Sequence, residues 1–509
     1  MSSASPPRER LRALIASLEA GLLERDAAVR LALLAALAGE HVLLIGPPGT
    51  AKSELARRLH RAFDGARYFE RLLTRFSTPE ELFGPLSLKA LEHDRYERLT
   101  DGYLPTASIA FLDEVFKANS AILNALLTLL NEREFDNGSA RVRAPLISVI
   151  GATNEVPQDE ALMAFYDRFL VRVPVAPVSD ASFAQLLALR PAPVAAAPGS
   201  DEPPAARPIA REELAAWIAK RDTVPLARDL VPQLQALRAV CAGQGIVVSD
   251  RRWRQLIGLL RTAALTEGRA QVDVLDLWLV PYLIAVQPAQ VAGLQDWFAH
   301  EVVQAAPQDA PWLARAVDAF EKQLDIESLA QAQEGDDSAG KLALARSIGV
   351  AQGGGVGAGG AGGAGGGSGG GSGSGSGSEG EGEGEGGGGG GGGGEMLRLM
   401  SPSLEAHLRK RWSSAHVAAR VAQVDEVLQA ACQRRDAVAA HCDSLRARVR
   451  DRVWLPPTVS AQWLQQRQQT ADLLAGLAAR LGEIRSCFAA LPIDAQQTTE
   501  LPEPIAVGA

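Results

Sequence analysis

The run Gly46-Pro47-Pro48-Gly49-Thr50-Ala51-Lys52-Ser53 constrains the fold more than any other feature. It follows the apolar segment Val42 to Ile45 and precedes a segment of helical character. A glycine-rich turn between a strand and a helix wraps backbone N–H groups around phosphates, and the helix dipole adds positive potential there. Lys52 would reach the β and γ phosphate oxygens, and Ser53 would bind Mg²⁺. The run therefore predicts an ATP-binding loop in an α/β fold.

One position of this loop departs from the usual pattern. Ala51 stands where a glycine normally precedes the lysine. A methyl group is tolerable there only if the residue keeps an ordinary negative φ. We therefore expect a negative φ at Ala51, and the alternative is a degenerate loop that no longer binds nucleotide.

Two further apolar segments end in polar side chains. Ile109 to Leu112 is followed by Asp113 and Glu114, and Val149 to Thr153 is followed by Asn154. Carboxyl ends of parallel strands share one edge of a sheet, where ligands bind. There Asp113 would hold Mg²⁺, Glu114 would polarise the attacking water, and Asn154 would hold that water or the γ phosphate. The alternative for each segment is a strand that ends in a solvated turn.

Residues 1–190 alternate short apolar segments with segments of helix length, which predicts βαβ units and a parallel sheet. The five apolar segments are His41 to Ile45, Tyr68 to Leu73, Ile109 to Leu112, Ile147 to Ala152 and Phe169 to Val175.

Composition divides the remainder of the chain. Prolines among alanines and acidic residues predict a linker, and most of the 50 glycines fall between Gly353 and Gly394, which predicts a disordered tract. The expected divisions are an α/β core at 1–190, a linker at 191–208, an all-α lid at 209–305, the first part of a helical bundle at 306–350, a glycine-rich disordered linker at 351–395, the second part of the bundle at 396–491 and a flexible tail at 492–509.

Apolar residues at helical spacing lie on both sides of the glycine-rich tract. One stripe contains Leu313, Val317, Phe320 and Leu324, and longer stripes occupy 417–449 and 474–491. The first stripe is too short for a stable isolated helix, so burial against the longer ones is favourable. We expect one discontinuous bundle, and the alternative is a C-terminal hairpin that folds independently.

Charge and composition disfavour several classes of protein. The net charge of −9 is the opposite of the basic footprint that nonspecific nucleic-acid binding needs. The four cysteines contain no CxxC pair, so neither a zinc site nor a disulfide framework is indicated. No uncharged apolar run approaches the length of a membrane helix. We expect a cytoplasmic protein without an integral membrane segment.

This combination of motifs resembles the AAA+ ATPases of the MoxR family, and specifically its RavA subgroup. Alanine before the loop lysine is similar to that family's own variant. Four other segments resemble the family: Ser77 to Gly84, Leu127 to Glu132, Phe165 to Phe169 and Ser249 to Trp253. The resemblance covers residues 20–300.

The resemblance implies roles for several further residues. Asn154 corresponds to the residue called sensor 1. Arg168 resembles the arginine finger, which would point into a neighbouring subunit's site. Arg251 resembles the sensor 2 arginine of the lid, although Arg252 or Arg254 could take that role instead. Two hairpins are also implied, one between 84 and 105 and one at 133–143, where Asp136-Asn137-Gly138 is a turn signal.

The resemblance implies Mg²⁺-dependent hydrolysis of ATP to ADP and phosphate by a ring, expected to be a hexamer. Such ATPases act as chaperones or assembly factors, usually with a von Willebrand factor A (vWA) domain protein. RavA-type proteins carry an inserted domain that docks a lysine decarboxylase, but here the glycine-rich tract occupies that place, so this partner is not carried over. The alternatives are a nucleic-acid motor related to replicative helicases, a magnesium-chelatase-like subunit, and a scaffold that binds ATP without turnover.

Overall fold

The computed structural model describes residues 7–189, 207–303, 311–330, 410–494 and 501–505. Most of the linker expected at 191–208, the whole tract expected at 351–395 and parts of the bundle and tail segments lie outside the described residues. The chain forms two compact units. Unit 1 contains Met1–Gln308 and Ala437–Ala471, and unit 2 contains Asp309–Asp436 and Asp472–Ala509.

A five-stranded parallel sheet forms the centre of unit 1, as the sequence predicts. Its strands are β1 (Val42–Ile45), β2 (Tyr68–Leu72), β3 (Ile109–Asp113), β6 (Ser148–Thr153) and β7 (Val171–Pro174), in the spatial order β2-β3-β6-β1-β7. Every neighbouring pair is parallel. The carboxyl ends of all five strands therefore lie along one edge, called here the carboxyl edge, and their amino ends lie along the opposite amino edge.

Apolar cores cover both faces of this sheet. Along β1 the side chains alternate, so that Val42 and Leu44 enter one core while Leu43 and Ile45 enter the other. All four residues are buried, as is typical of parallel strands covered by helices on both sides.

Helices of unit 1 surround the sheet and build the lid. The helices that accompany the sheet are α1 (Pro7–Glu19), α2 (Asp26–Ala38), α3 (Lys52–Leu59), α4 (Pro79–Phe83), α5 (Leu88–Leu91), α6 (Ser120–Glu132), α7 (Glu160–Tyr166) and α8 (Asp180–Ala188). The lid helices are α9 (Arg211–Lys220), α10 (Leu230–Gly243), α11 (Asp250–Thr266), α12 (Pro281–Ile284) and α13 (Pro288–Phe298). No described helix has the length and apolar composition that a membrane crossing requires.

The two segments expected to form hairpins, 84–105 and 133–143, fold differently. The second forms the expected hairpin from β4 (Glu134–Asn137) and β5 (Ala140–Arg143). The first makes only one antiparallel bridge, between Leu86 and Arg98, because the chain turns into α5 at Leu88. The Asn137 amide joins the two segments: its Oδ1 accepts from Arg98 N at 2.6 Å, and its Nδ2 donates to Arg98 O at 3.1 Å.

The segment Ala437–Ala471 belongs to unit 1, which differs from the boundary expected at 396–491. It contains the end of α15 (Ser414–Arg450) and the start of α16 (Pro457–Ala489). Trp454 between them is buried, and its indole N–H donates to Thr266 Oγ1 at 2.9 Å. Arg452 pairs with Asp276 at 2.6 Å. The segment is therefore anchored on the lid.

Unit 2 is a helical bundle built from both sides of the glycine-rich tract, as expected. It combines α14 (Pro311–Leu329) with the remaining parts of α15 and α16. Buried Glu327 of α14 contacts His416 at 3.0 Å and Arg420 at 2.8 Å. Lys410 N donates to Ala330 O at 2.9 Å, so the two described residues that flank 331–409 are hydrogen-bonded to each other.

Candidate nucleotide-binding site

The loop 46–51 leaves β1 at the carboxyl edge and enters α3 at Lys52. A β-carbon on Gly46 would lie only 2.0 Å from Val175 O, so no other residue fits there without a shift of the backbone. Gly46 N donates to Thr153 O at 3.0 Å, and Gly49 has a φ of 80°. These contacts shape a tight turn that opens onto the first turn of a helix.

Ala51 lies in the left-handed region, with φ 64° and ψ 25°. The expectation of a negative φ is therefore wrong. Ala51 is the N-cap of α3, and its O accepts the first helical hydrogen bond from Leu55 N at 3.1 Å. An alanine adopts the left-handed conformation at a cost of about 1 kcal/mol, which the surrounding contacts offset.

Arg25 supports this turn, although the sequence analysis did not single it out. Its side chain is buried, Nε donates to Thr50 O at 3.1 Å, and Nη2 donates to Ala176 O at 2.7 Å. Arg25 thus ties the loop to the chain that follows β7. No motif in the sequence marks the role, since it depends on tertiary contacts alone.

Lys52 lies at the centre of the loop. Its Nζ donates to Gly46 O and to Pro47 O, each at 2.8 Å. Burial lowers the pKa of Lys52, and the nearby carboxylates of Asp113 and Glu114 oppose that shift. The structure therefore brings the loop lysine close to the acidic end of β3.

Glu114 directly follows β3 and has a left-handed backbone, with φ 50°. Asn154 Nδ2 donates to Glu114 Oε1 at 2.6 Å, and Lys117 Nζ lies 3.3 Å from Glu114 Oε2. The backbone N–H of Glu114 donates to Asp113 Oδ1 at 3.0 Å. The polar residues that end β3 and β6 thus meet at the carboxyl edge. The sequence motifs do not single out Lys117 as a partner of Glu114. The only signal for it is its position three residues after Glu114.

The residues at this edge fit a nucleotide and Mg²⁺. The Gly46 to Ser53 loop offers backbone N–H groups at a helix N-terminus, and Lys52 adds a cation. Ser53, the second residue of α3, carries a hydroxyl, and Asp113 carries a carboxylate. Both are the hard oxygen donors that Mg²⁺ prefers.

Arg168 and Arg251 lie away from this edge. Arg168 comes three residues before β7, at the amino edge. Arg251 is exposed, and its Nη2 donates to Asn131 Oδ1 at 3.4 Å, near the end of α6. The structure therefore does not bring Arg251, the expected sensor 2 residue, to the phosphate loop of its own chain.

Arg252 is buried and donates hydrogen bonds to the turn that precedes β7. Its side chain is 3% exposed, Nη1 donates to Asp167 Oδ1 at 2.9 Å, and Nη2 donates to Phe169 O at 3.1 Å and Leu170 O at 2.8 Å. It fastens the start of α11 to the turn before β7. Arg254, the third candidate for sensor 2, is exposed.

Comparisons with known proteins identify the family. The model of the MoxR domain found in MoxR-vWA-beta-propeller ternary systems matches residues 9–193, and the model of an AAA lid domain matches residues 229–298. Together the two matches include the phosphate loop, Asp113, Glu114, Asn154 and the lid helices α10 to α13.

Several curated proteins are similar to part of the chain. Two uncharacterised proteins of Methanocaldococcus jannaschii are each 41% identical, over 51% and 52% of this chain and 66% and 69% of their own lengths. Protein MoxR of Paracoccus denitrificans is 29% identical over 34% of this chain and 52% of its own length. The chain thus spans about two thirds of the archaeal relatives and about half of Protein MoxR. From these matches, and from a five-stranded parallel sheet with a phosphate loop and a lid, the chain belongs to the MoxR-type AAA+ ATPases.

Proposed function

We propose that this chain hydrolyses ATP to ADP and phosphate at the carboxyl edge of its sheet, with Mg²⁺. The observation that carries the proposal is the hydrogen bond of 2.6 Å between Asn154 and Glu114, beside the loop that holds Lys52. A base, a polar amide and a phosphate-binding cation are the groups that attack of water on a γ phosphate requires.

Each residue has a defined task in this proposal. The loop N–H groups and Lys52 bind and orient the phosphates, which holds the γ phosphorus in place for attack. Glu114 accepts a proton from the attacking water, and Asn154 positions that water and the Glu114 carboxylate. Ser53 and Asp113 would hold Mg²⁺, which supplies neutralisation of the phosphate charge.

Arg168 and Arg251 complete the site from a second copy of the chain. Both lie at the amino edge, opposite their own phosphate loop, so neither serves that loop directly. The Nε of Arg168 is buried and makes no hydrogen bond to any described residue. A ring in which Arg168 and Arg251 of one copy reach the phosphate loop of the next would use both arginines to stabilise transition-state charge. We propose a hexameric ring of this kind.

The proposed role is that of a chaperone or assembly factor for protein complexes, in the cytoplasm. The matched MoxR model is named for systems that contain a vWA protein, which supports a vWA domain protein as partner. The RavA subgroup remains part of this proposal, supported by a bundle whose two segments flank an interruption. A nucleic-acid motor and a magnesium-chelatase-like subunit are less favoured, since the matched model describes MoxR systems and the net charge is −9. Measured ATP turnover of the full chain distinguishes an ATPase from a scaffold that binds ATP without turnover.

The test compares Lys52→Ala with Glu114→Gln in the full chain. Lys52→Ala should weaken ATP binding at least tenfold, because it removes the cation that contacts the phosphates. Glu114→Gln should bind ATP within about threefold of wild type but lower turnover by about 10²- to 10⁴-fold, because only the base is lost. Exposed Lys89→Ala and Glu92→Gln are the matched controls. Equal loss of ATP affinity in the two site variants would contradict these roles, and absence of turnover in wild type would favour the scaffold.

A further inference from the structure

A second set of polar side chains lies in unit 1 at the amino edge, away from the phosphate loop. Two cavities of about 380 and 650 Å³ open there and share five lining residues: Arg143, Pro145, Ile147, Arg211 and Leu214. We call these two adjoining cavities together the basic trough. It runs along the residues that precede β1, β2, β3 and β6, namely Glu40, Arg67, Ser108 and Ile147.

Positive charge dominates the trough. The larger cavity is lined by Arg133, Arg143, Arg211 and Arg221 against a single carboxylate, Glu40. Burial raises the pKa of Glu40 to about 7, against the opposing effect of nearby Arg221 and Arg133. The larger cavity therefore carries a net charge of at least three positive units. The smaller cavity adds Arg67 and one further carboxylate, Asp64.

Two of these arginines are held in place by the fold. Arg133 donates to Ile147 O at 2.9 Å, and it also donates to Leu146 O and Gly39 O. Burial lowers the pKa of Arg133, Glu40 opposes this shift, and the neighbouring Arg143 adds to it. Arg221 Nη1 donates to Ala38 O at 2.7 Å, while its buried Nε makes no hydrogen bond to a described residue.

The other two arginines are available to a ligand. Arg143 ends β5 and Arg211 begins α9, and both are exposed. Neither forms an ion pair with a carboxylate in the part of the chain that the structure describes. Arg211 makes one long bond, of 3.3 Å, to Pro145 O. Two guanidinium groups without a described carboxylate partner thus line a cavity whose other two arginines, Arg133 and Arg221, are held by the fold.

Apolar side chains line the rest of the trough. They include Leu214 and Ile218 of α9, together with Ile147 and Ile209. The volume of each of its two cavities lies in the range of about 300–1,000 Å³ that small-molecule sites occupy. Guanidinium groups bind phosphate through paired hydrogen bonds, and burial against apolar walls strengthens these bonds.

We propose that the basic trough binds a multiply phosphorylated small molecule, either a free oligophosphate or a nucleotide, at a site separate from the phosphate loop. Arg143 and Arg211 contact the phosphates, and the fixed guanidinium groups of Arg133 and Arg221 supply the background potential. An occupied trough would connect the β4–β5 hairpin to α9, since each contributes one of the two free arginines. The proposal does not depend on ATP hydrolysis at the carboxyl edge.

Titration calorimetry on the full chain tests it, with sodium tripolyphosphate and ADP as separate probes. Lys52→Ala serves as background, so that the phosphate loop does not dominate the signal. In that background, R143A/R211A should weaken tripolyphosphate binding at least tenfold, and R228A/R238A, which removes two exposed arginines outside the trough, should change it less than twofold. ADP binding tighter than tripolyphosphate would identify a nucleotide, and the reverse order a free oligophosphate.

Three outcomes would overturn the proposal. The first is equal affinity in the trough variant and its control, which would mean nonspecific attraction. The second is loss of all binding in Lys52→Ala with the trough intact, which would place the phosphates in the loop alone. The third is binding of poly-glutamate but of neither phosphate probe, which would make the trough a surface for an acidic protein segment.

Discussion

Arg251 and Arg252 are adjacent in sequence, but their substitution should have different consequences. Arg252→Ala removes a guanidinium that is 3% exposed and leaves the carbonyls of Phe169, Leu170 and Leu283 without their donor. Removing one partner of a fully buried ion pair costs about 3–5 kcal/mol, which is an upper bound here because Asp167 is partly exposed. In the variant the half-exposed carboxylate of Asp167 regains hydration. The variant also relieves the repulsion between Arg252 and Arg172, which contributes to the lowered pKa of Arg172. These two gains reduce the expected loss to about 3 kcal/mol.

Urea unfolding and ATPase turnover, measured on the same preparations, separate the two residues. Arg252→Ala should lower the free energy of unfolding by about 3 kcal/mol, and Arg252→Lys by about half of that, since it keeps the charge but loses the planar fork. Arg251→Ala should stay within about 0.5 kcal/mol of wild type, as exposed residues do, and should reduce turnover. Unchanged stability in Arg252→Ala, with turnover lost, would refute the structural role and return Arg252 to the sensor 2 candidates.

Two further predictions concern stability. Ala51→Gly should raise the free energy of unfolding by up to about 1 kcal/mol and keep ATP affinity, because glycine adopts the left-handed φ of 64° without strain; a destabilised variant in urea unfolding would contradict that geometry. Burial raises the pKa of Glu40 from 4.5 to about 7 in the folded protein. Ionisation of Glu40 therefore lowers the free energy of unfolding, fully above pH 7 and progressively less as the pH falls toward 4.5. Glu40→Gln should therefore exceed wild type in stability by up to about 3 kcal/mol at pH 8 and lose that advantage near pH 4.5; a constant difference across this range would contradict the shift.

The sheet, the phosphate loop and the β4–β5 hairpin could be predicted because each depends on local sequence. Four consecutive buried residues mark β1, and Asp136-Asn137-Gly138 supplies the positive φ that a tight hairpin needs, at Gly138. The stripe of α14 predicted a bundle shared across the tract, because a short amphipathic helix is unstable unless its apolar face is covered.

Other features depend on tertiary contacts that the sequence does not encode locally. Helical periodicity does not decide which of Arg251, Arg252 and Arg254 is buried, because the turn before β7 provides the acceptors. The φ of Ala51 is set by how the loop enters α3, and the positions of Arg25 and Lys117 depend on partners that fold next to them. The docking of Ala437–Ala471 on the lid likewise depends on the contact between Trp454 and Thr266, which are 188 residues apart in sequence.

Turnover by a mixture of two inactive variants tests the central claim, that one copy's Arg168 completes the site of another. Arg168→Ala keeps Glu114 but lacks the finger, whereas Glu114→Gln keeps the finger but lacks the base. If the site is shared, a co-assembled mixture contains interfaces that pair an intact Glu114 with an intact Arg168, and ATPase activity should return above that of either variant alone. No recovery in a mixture whose co-assembly is confirmed by size-exclusion chromatography would contradict a site built between subunits.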